Sequence, residues 1–190
     1  HEVNQELFDR VYGEGNVADE AAFRAKIAEN LKAQFEVNTD FRFLMDVRKH
    51  CEKKVGKLEF PDALLKRIML ANNKDKGEEF VEKNYEASIN ELTWHLIREK
   101  LVAAQEIKID DNDVKETAKE AARAQFAQYG MNNVPDEYLD NYATEMLKKQ
   151  EHIQSFVERA IDRKLTEKLK GVVKLNVKKV TLDEFNKLDA

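Results

Sequence analysis

Few side chains in this sequence combine a reactive type with a spacing suited to catalysis. The two serines, Ser88 and Ser155, both fall inside segments with helical periodicity, so neither sits in the sharp turn that exposes a nucleophile. Cys51 is the single cysteine and directly follows His50. Adjacent residues on a helix point about 100° apart, so this thiol and this imidazole cannot pair as nucleophile and base. We expect Cys51 to be a small packing residue.

Metal-binding patterns are lacking as well. His50, His95 and His152 are far apart, and no HExxH pattern or Cys/His cluster occurs. The run Asp110–Asp113 is similar to the start of a calcium loop, but Lys115 and Ala121 stand where that loop needs glycine and a bidentate glutamate. Capping of a helix accounts better for these carboxylates. We therefore expect no metal, no cofactor and no catalytic residue in this chain.

The composition favours a helical protein that works through its surface. Charged residues make up 36 % of the 190 residues and hydrophobic residues 42 %, which is too apolar for a disordered tail. Glycine (6) and proline (2) are scarce, as expected for long helices. The net charge is −5 with both signs interspersed, and no basic block is present. Direct binding of nucleic acid is therefore not expected.

Cellular location follows from three features of the sequence. A single cysteine cannot form a disulfide within one chain, which suits a reducing compartment. No apolar stretch approaches the roughly 20 residues that a membrane span needs. The polar start carries no secretory signal and no initiator Met, so the chain is expected to be cut from something longer. These features predict a cytoplasmic protein without a membrane partner.

The elements that would position any site are predicted to be long helices separated by glycine and proline. The largest begins at the N-cap Asp19 and runs to about Val55. At 1.5 Å per residue it would span about 55 Å, more than the ~40 Å diameter of a compact globule of this length. The molecule is therefore expected to be elongated. Alternating residues predict short strands around Ile107–Ile109 and Val173–Val177, and Thr181 with Glu184 predicts a capping box.

Aromatic and methionine side chains gather between the later helices. They are Phe126, Tyr129, Met131, Tyr138, Tyr142 and Met146, with Phe156 nearby. We call the first six the aromatic cluster. Rings and methionines give adaptable, non-directional contact, as binders of varied partners require. The cluster therefore predicts either a surface that contacts unfolded polypeptide or the core of a small helical unit.

The order and spacing of several motifs carry a family resemblance. They are Glu6–Gly13, Phe23–Ile27 at the start of the long helix, Leu58–Leu65 around Pro61, Leu96–Asp111, and Val180–Phe185. With these motifs the sequence resembles the C-terminal domain of bacterial trigger factor over essentially its full length. No single motif is diagnostic, and the match depends on all of them together.

The resemblance implies a mostly α fold, with an elongated body and two protruding helical arms. The body would comprise about residues 1–105 and 173–190, the first arm about 106–149 and the second about 150–172. It also implies a chaperone module that holds nascent or unfolded polypeptide without ATP, with the aromatic cluster in the first arm. In the family, a ribosome-docking domain and an FKBP-type prolyl-isomerase domain precede this module, and neither is present in the sequence.

Ribosome contact and isomerase activity would therefore belong to a longer parent protein, and this chain is expected not to be an enzyme. Two alternatives stay open at this point. One is the helical core of a periplasmic parvulin-type chaperone, and the other is a helical adaptor with one fixed protein partner. The sequence also leaves a homodimer open.

Overall fold

The computed structural model describes residues 3–131 and 133–189, and these residues are mostly helical. The helices in chain order are α1 (Gln5–Tyr12), α2 (Glu20–Val55), α3 (Asp62–Asn72), α4 (Gly77–Ala104), α5 (Asp111–Gln128), α6 (Asp136–Leu147), α7 (Gln150–Val172) and α8 (Leu182–Asn186), followed by a 3-10 turn at Lys187–Asp189. The expected mostly α fold class is confirmed.

Helix α2 forms as the sequence predicts and is 36 residues long. The Asp19 side chain accepts a hydrogen bond from the Ala22 N–H and so caps its first turn. Gly56 ends it with φ of 73°, and its N–H donates to the Glu52 carbonyl. An unbroken helix of this length spans about 54 Å.

The N-terminal segment folds back over the first turns of α2. Phe8, Tyr12 and Val17 are buried against Phe23 of α2. The ring centroids of Phe8 and Phe23 are 4.7 Å apart, and those of Tyr12 and Phe23 are 5.6 Å apart. This small cluster covers the beginning of α2 and leaves the following turns open.

Helix α4 connects the long helix to the C-terminal half of the chain. The Arg48 guanidinium on α2 lies 2.8 Å from a Glu91 carboxylate oxygen on α4, and it also approaches the Trp94 ring. Helix α3 packs against α4, where Lys66 lies 2.6 Å from Glu82. These contacts place α3 and α4 beside the second half of α2.

Helices α5, α6 and α7 form the best-packed unit of the described chain. Ala118, Ala143 and Phe156 make a shared core, and Leu139 and Leu165 are fully buried. Alanine at the contact positions lets the helix backbones approach closely. Helix α7, assigned to the second arm, thus packs directly on the helices of the first. The division into a body and two arms stays a prediction.

The expected short strands are not found in the described residues. Ile107–Ile109 and Val173–Val177 lie between helices and form no β-ladder there. Alternating side chains are compatible with extended backbone, but a strand also needs a partner, and no other described segment supplies one.

The structure exposes far more surface than a compact protein of its size. Its accessible surface is 14464 Å², whereas a compact monomer of 22.1 kDa exposes about 9,300 Å². Large apolar side chains contribute to the difference on α2, at the α5–α6 connection and after α7. The architecture therefore leaves several apolar surfaces uncovered.

Candidate functional site

Three members of the aromatic cluster lie on the surface. Tyr129 and Met131 follow α5, and Tyr138 is in the first turn of α6. Their exposed fractions are 73 %, 49 % and 66 %. These side chains offer apolar surface to solvent at one end of a well-packed helical unit.

Two further members form an aromatic pair between α5 and α6. The rings of Phe126 and Tyr142 have centroids 5.2 Å apart and are tilted by 60°. The Tyr142 hydroxyl donates a hydrogen bond of 3.3 Å to the Gln125 side-chain oxygen. Phe126 is half-buried, whereas Tyr142 remains at the edge of the surface. The pair therefore both stabilises the helix contact and borders the exposed residues.

Met146 differs from the other five residues. It is half-buried and packs against the core formed by Ala118, Ala143 and Phe156. The aromatic cluster is thus divided by the fold: three side chains are open, two form an edge pair, and Met146 faces the interior. The sequence does not distinguish these environments, because Phe, Tyr and Met all occur both in cores and on surfaces.

Ion pairs fix α6 beside α5 and so hold the open residues in place. The Lys119 ammonium lies 3.1 Å from Asp140 and 3.3 Å from Asp136. The hydrogen bond to Asp140, more than the one to Asp136, raises the pKa of Lys119. Arg123 also lies 3.2 Å from Asp136. Because both basic residues are on α5 and both acids are on α6, the pairs cross the helix contact.

A second polar contact joins α5 to α7. Asp110 and Asp113 form a reciprocal capping box at the start of α5, and Asp113 also accepts a hydrogen bond from Lys164 of α7. Lys164 donates a further bond of 3.0 Å to the Lys108 carbonyl. The Lys164 ammonium first, and the Asp110 N–H second, lower the pKa of the Asp113 carboxyl. The acidic run therefore caps a helix, in agreement with the sequence interpretation.

Arg98 joins α4 to α7 at a nearly buried position. Its guanidinium lies 3.0 Å from Asp162 and also pairs with Glu158, both on α7. Burial raises the pKa of Asp162, although the charge of Arg98 opposes that shift. This pair of contacts attaches the α5–α7 unit to the rest of the molecule.

Sequence analysis missed an open apolar face on α2. Ile27, Leu31 and Phe35 recur every four residues and therefore share one side of the helix. Their exposed fractions are 36 %, 45 % and 40 %, and every residue from Ile27 to Thr39 is exposed. We call these three residues the α2 face. The predicted length of α2 could have indicated this exposure, because a helix longer than the diameter of a compact domain cannot be covered along its whole length.

A separate cavity of about 1030 Å³ lies at the other end of α2. It is lined by the connector before α3 and by α4, including Leu58, Phe60 and Ile89. Beside it the Tyr85 hydroxyl donates a hydrogen bond of 2.6 Å to Asp62. Removal from solvent first, and this bond second, raise the pKa of Tyr85 to about 12. The cavity is distant in sequence from the aromatic cluster.

The reactive side chains singled out in the sequence do not assemble into a site. The Cys51 thiol is half-buried, and burial raises its pKa, so the nucleophilic thiolate is disfavoured. Within residues 3–131 and 133–189, no three His, Cys, Asp or Glu side chains are grouped so that they could hold a metal ion. None of the described helices has the length and apolar character needed to cross a membrane.

Comparison with known proteins assigns the family. The family model of the trigger factor C-terminal domain matches residues 39–188. The chain belongs to the trigger factor C-terminal domain family. No curated protein and no solved structure matched the chain. The family match favours trigger factor over the parvulin-type alternative.

The trigger factor match covers α3 to α8, residues 39–55 of α2 and the whole aromatic cluster. The α2 face lies before its first residue, so the match does not include it. Membership of this family supports a chaperone-type module.

Proposed function

We propose that this domain is an ATP-independent chaperone module that holds nascent or unfolded polypeptide on exposed apolar side chains. The observation that carries the proposal is the exposure of Tyr129, Met131 and Tyr138 on helices that ion pairs and a packed core hold in place. Membership of the trigger factor C-terminal domain family supports the same role.

The chemistry of these residues suits partners of varied sequence. A fully buried apolar side chain is worth roughly 1.5–3 kcal/mol, and contacts with a fluctuating polypeptide bury only part of each. Several weak contacts must therefore act together, which gives binding that is reversible and tolerant of sequence. The α2 face provides a second surface of the same character. Leu31 and Phe35 are its two most exposed side chains.

The proposed role is binding rather than catalysis, in the cytoplasm and without nucleic acid. Contact with the ribosome would come through a different domain of a longer protein. The isomerase activity associated with the family would belong to a further, separate domain.

A multiple variant tests the proposal. Tyr129→Ser, Met131→Ser and Tyr138→Ser together should weaken the suppression of aggregation of a chemically unfolded client, measured by light scattering without ATP. The melting curve followed by circular dichroism should stay unchanged, because exposed side chains contribute little to packing.

A matched control replaces Val55, Leu64 and Ile68 with Ser. These side chains have similar exposure, at 46 %, 44 % and 46 %, but lie on α2 and α3 away from the cluster. The control should retain full activity. Unchanged suppression by the cluster variant, or a loss that merely follows a lower melting temperature, would defeat the proposal. Leu31→Ser with Phe35→Ser tests the α2 face in the same assay.

A further inference from the structure

The segment between α7 and α8 forms neither helix nor strand, has extended dihedrals at Val173 and Thr181, and carries an alternating pattern that no described residue covers. Val173, Leu175 and Val177 are two residues apart and would share one side of an extended strand, and their exposed fractions are 42 %, 43 % and 80 %. Lys174 and Lys178 alternate with them. We call residues 173–180 the edge segment.

The backbone of the edge segment has free hydrogen-bonding groups. The Val173 N–H donates to the Leu169 carbonyl and the Thr181 N–H donates to Glu184. Between these two bonds, residues 174–180 make no backbone hydrogen bond to any described residue. A row of unpaired N–H and C=O groups is the feature that lets an exposed strand accept another strand.

Both ends of the edge segment are attached to the fold. On one side, Lys170 pairs with Asp40 of α2. On the other, Thr181 and Glu184 form a capping box, and Arg42 of α2 donates 2.7 Å to the Leu188 carbonyl. Fixed ends reduce the conformational entropy that the segment would lose when it pairs.

The charge around the edge segment indicates which kind of strand it would accept. Residues 168–180 contain five lysines and no acidic residue, although the whole chain has a net charge of −5. A second copy of the segment would place lysines against lysines, and like charges opposite one another destabilise a strand pair. Acidic side chains on the incoming strand would have the opposite effect.

We propose that the edge segment is a docking site for an extended polypeptide strand in which apolar and acidic residues alternate. The strand pairs with the free backbone groups, its apolar side chains cover Val173, Leu175 and Val177, and its carboxylates face Lys174 and Lys178. This site is separate from the aromatic cluster and selects its partner by strand register and charge.

Binding of a fluorescent eight-residue peptide with alternating Val and Glu, measured by anisotropy on the full chain, tests this proposal. This Val/Glu peptide should bind at least about tenfold tighter than a peptide with Lys in place of Glu. It should also bind at least about tenfold tighter than a peptide of the same composition in which the Val residues are clustered. Val177→Pro removes one N–H of the segment and should weaken binding about tenfold. Val177→Thr, which keeps the N–H, is the matched control and should bind nearly as well as the original chain.

Reversal of the charge of the edge segment gives a second test. Lys174→Glu with Lys178→Glu should exchange the preference, so that the Val/Lys peptide binds tighter than the Val/Glu peptide. Equal binding by Val177→Pro and Val177→Thr would overturn the proposal, as would concentration-dependent dimerisation through this segment without peptide. Aggregation suppression by Val177→Pro should match that of the original chain, so failure here is distinguishable from failure of the proposed function.

Discussion

At the residue scale, Asp113 combines two structural roles. It completes the capping box of α5, and it pairs with Lys164 of α7. Since Lys164 is on a different helix, the same carboxylate stabilises a helix end and a helix contact. The ion pair needs the ionised carboxyl, and the hydrogen bond from the Asp110 N–H is stronger when the carboxyl is ionised.

The lowered pKa of Asp113 predicts a dependence of stability on acid. Its carboxylate contributes stability above the pKa of about 3.9 that an unfolded Asp has, and this contribution is lost as pH falls through the lower folded pKa. Asp113→Asn should therefore lower the melting temperature at pH 7. The difference between the variant and the original chain should narrow below about pH 4. A difference that stays constant from pH 7 to pH 2 in thermal melts would contradict this account.

The two methionines of the aromatic cluster should respond differently to the same substitution. Met146 packs against Ala118, Ala143 and Phe156, whereas Met131 is 49 % exposed. Met146→Ala should reduce the free energy of unfolding by about 1–3 kcal/mol, less than the roughly 2–5 kcal/mol typical of a buried methionine, because Met146 is only half-buried. Met131→Ala should change it by less than about 0.5 kcal/mol. Urea unfolding of both variants measures the difference, and equal effects would place both side chains in the same environment.

Neighbouring residues made the structural role of some side chains predictable from the sequence and left the role of others undecided. Asp19, the run Asp110–Asp113 and Thr181 were recognisable as places where a helix is capped, because a cap depends on a few neighbouring residues. The different environments of Tyr129 and Met146 depend on which helix packs on which side. That information is spread over residues far apart in the sequence, so a single segment does not contain it.

At the element scale, the helices followed from periodicity and the strands did not. The spacing of apolar residues from Phe23 to Val55 predicted α2, and the structure has it at Glu20–Val55. Alternation at Val173–Val177 predicted a strand, but the described chain offers it no partner. A helix satisfies its own backbone, whereas a strand depends on a second segment, and this explains why one kind of prediction was confirmed and the other was wrong.

The contact between α4 and α7 depends on one nearly buried cation. Arg98→Met should reduce the free energy of unfolding by roughly 2–4 kcal/mol, because it leaves Glu158 and Asp162 without their partner. The expected loss is smaller than the roughly 3–5 kcal/mol for breaking a fully buried ion pair, because both carboxylates keep some contact with water. Adding Glu158→Gln and Asp162→Asn to Arg98→Met should restore part of the loss. Urea unfolding of the single and triple variants would refute this if the triple variant were the less stable.

At the scale of the whole molecule, the large accessible surface predicts an open shape in solution. A compact chain of this length would have a radius of gyration of about 16 Å. Helix α2 alone spans about 54 Å, so small-angle scattering should give a clearly larger radius. A measured value near that of a compact globule would show that the helices collapse onto one another in solution.

The uncovered middle of α2 has a consequence for the exchange of amide hydrogens with solvent. Every residue from Ile27 to Thr39 is exposed, so this stretch has little tertiary packing to stabilise it, although the Asn30 side chain donates a hydrogen bond of 3.1 Å to the Tyr12 hydroxyl. Isolated helices shorter than about 12–15 residues are marginal in water. The helical turns of this stretch are therefore stabilised by the packed parts of α2 on either side, at Phe23 and beyond Asp40. Amides in this stretch should therefore exchange through local opening, while those of α7 near Leu165 exchange only when the domain unfolds. Hydrogen–deuterium exchange followed by mass spectrometry would show α2 as two slowly exchanging ends joined by a rapidly exchanging centre.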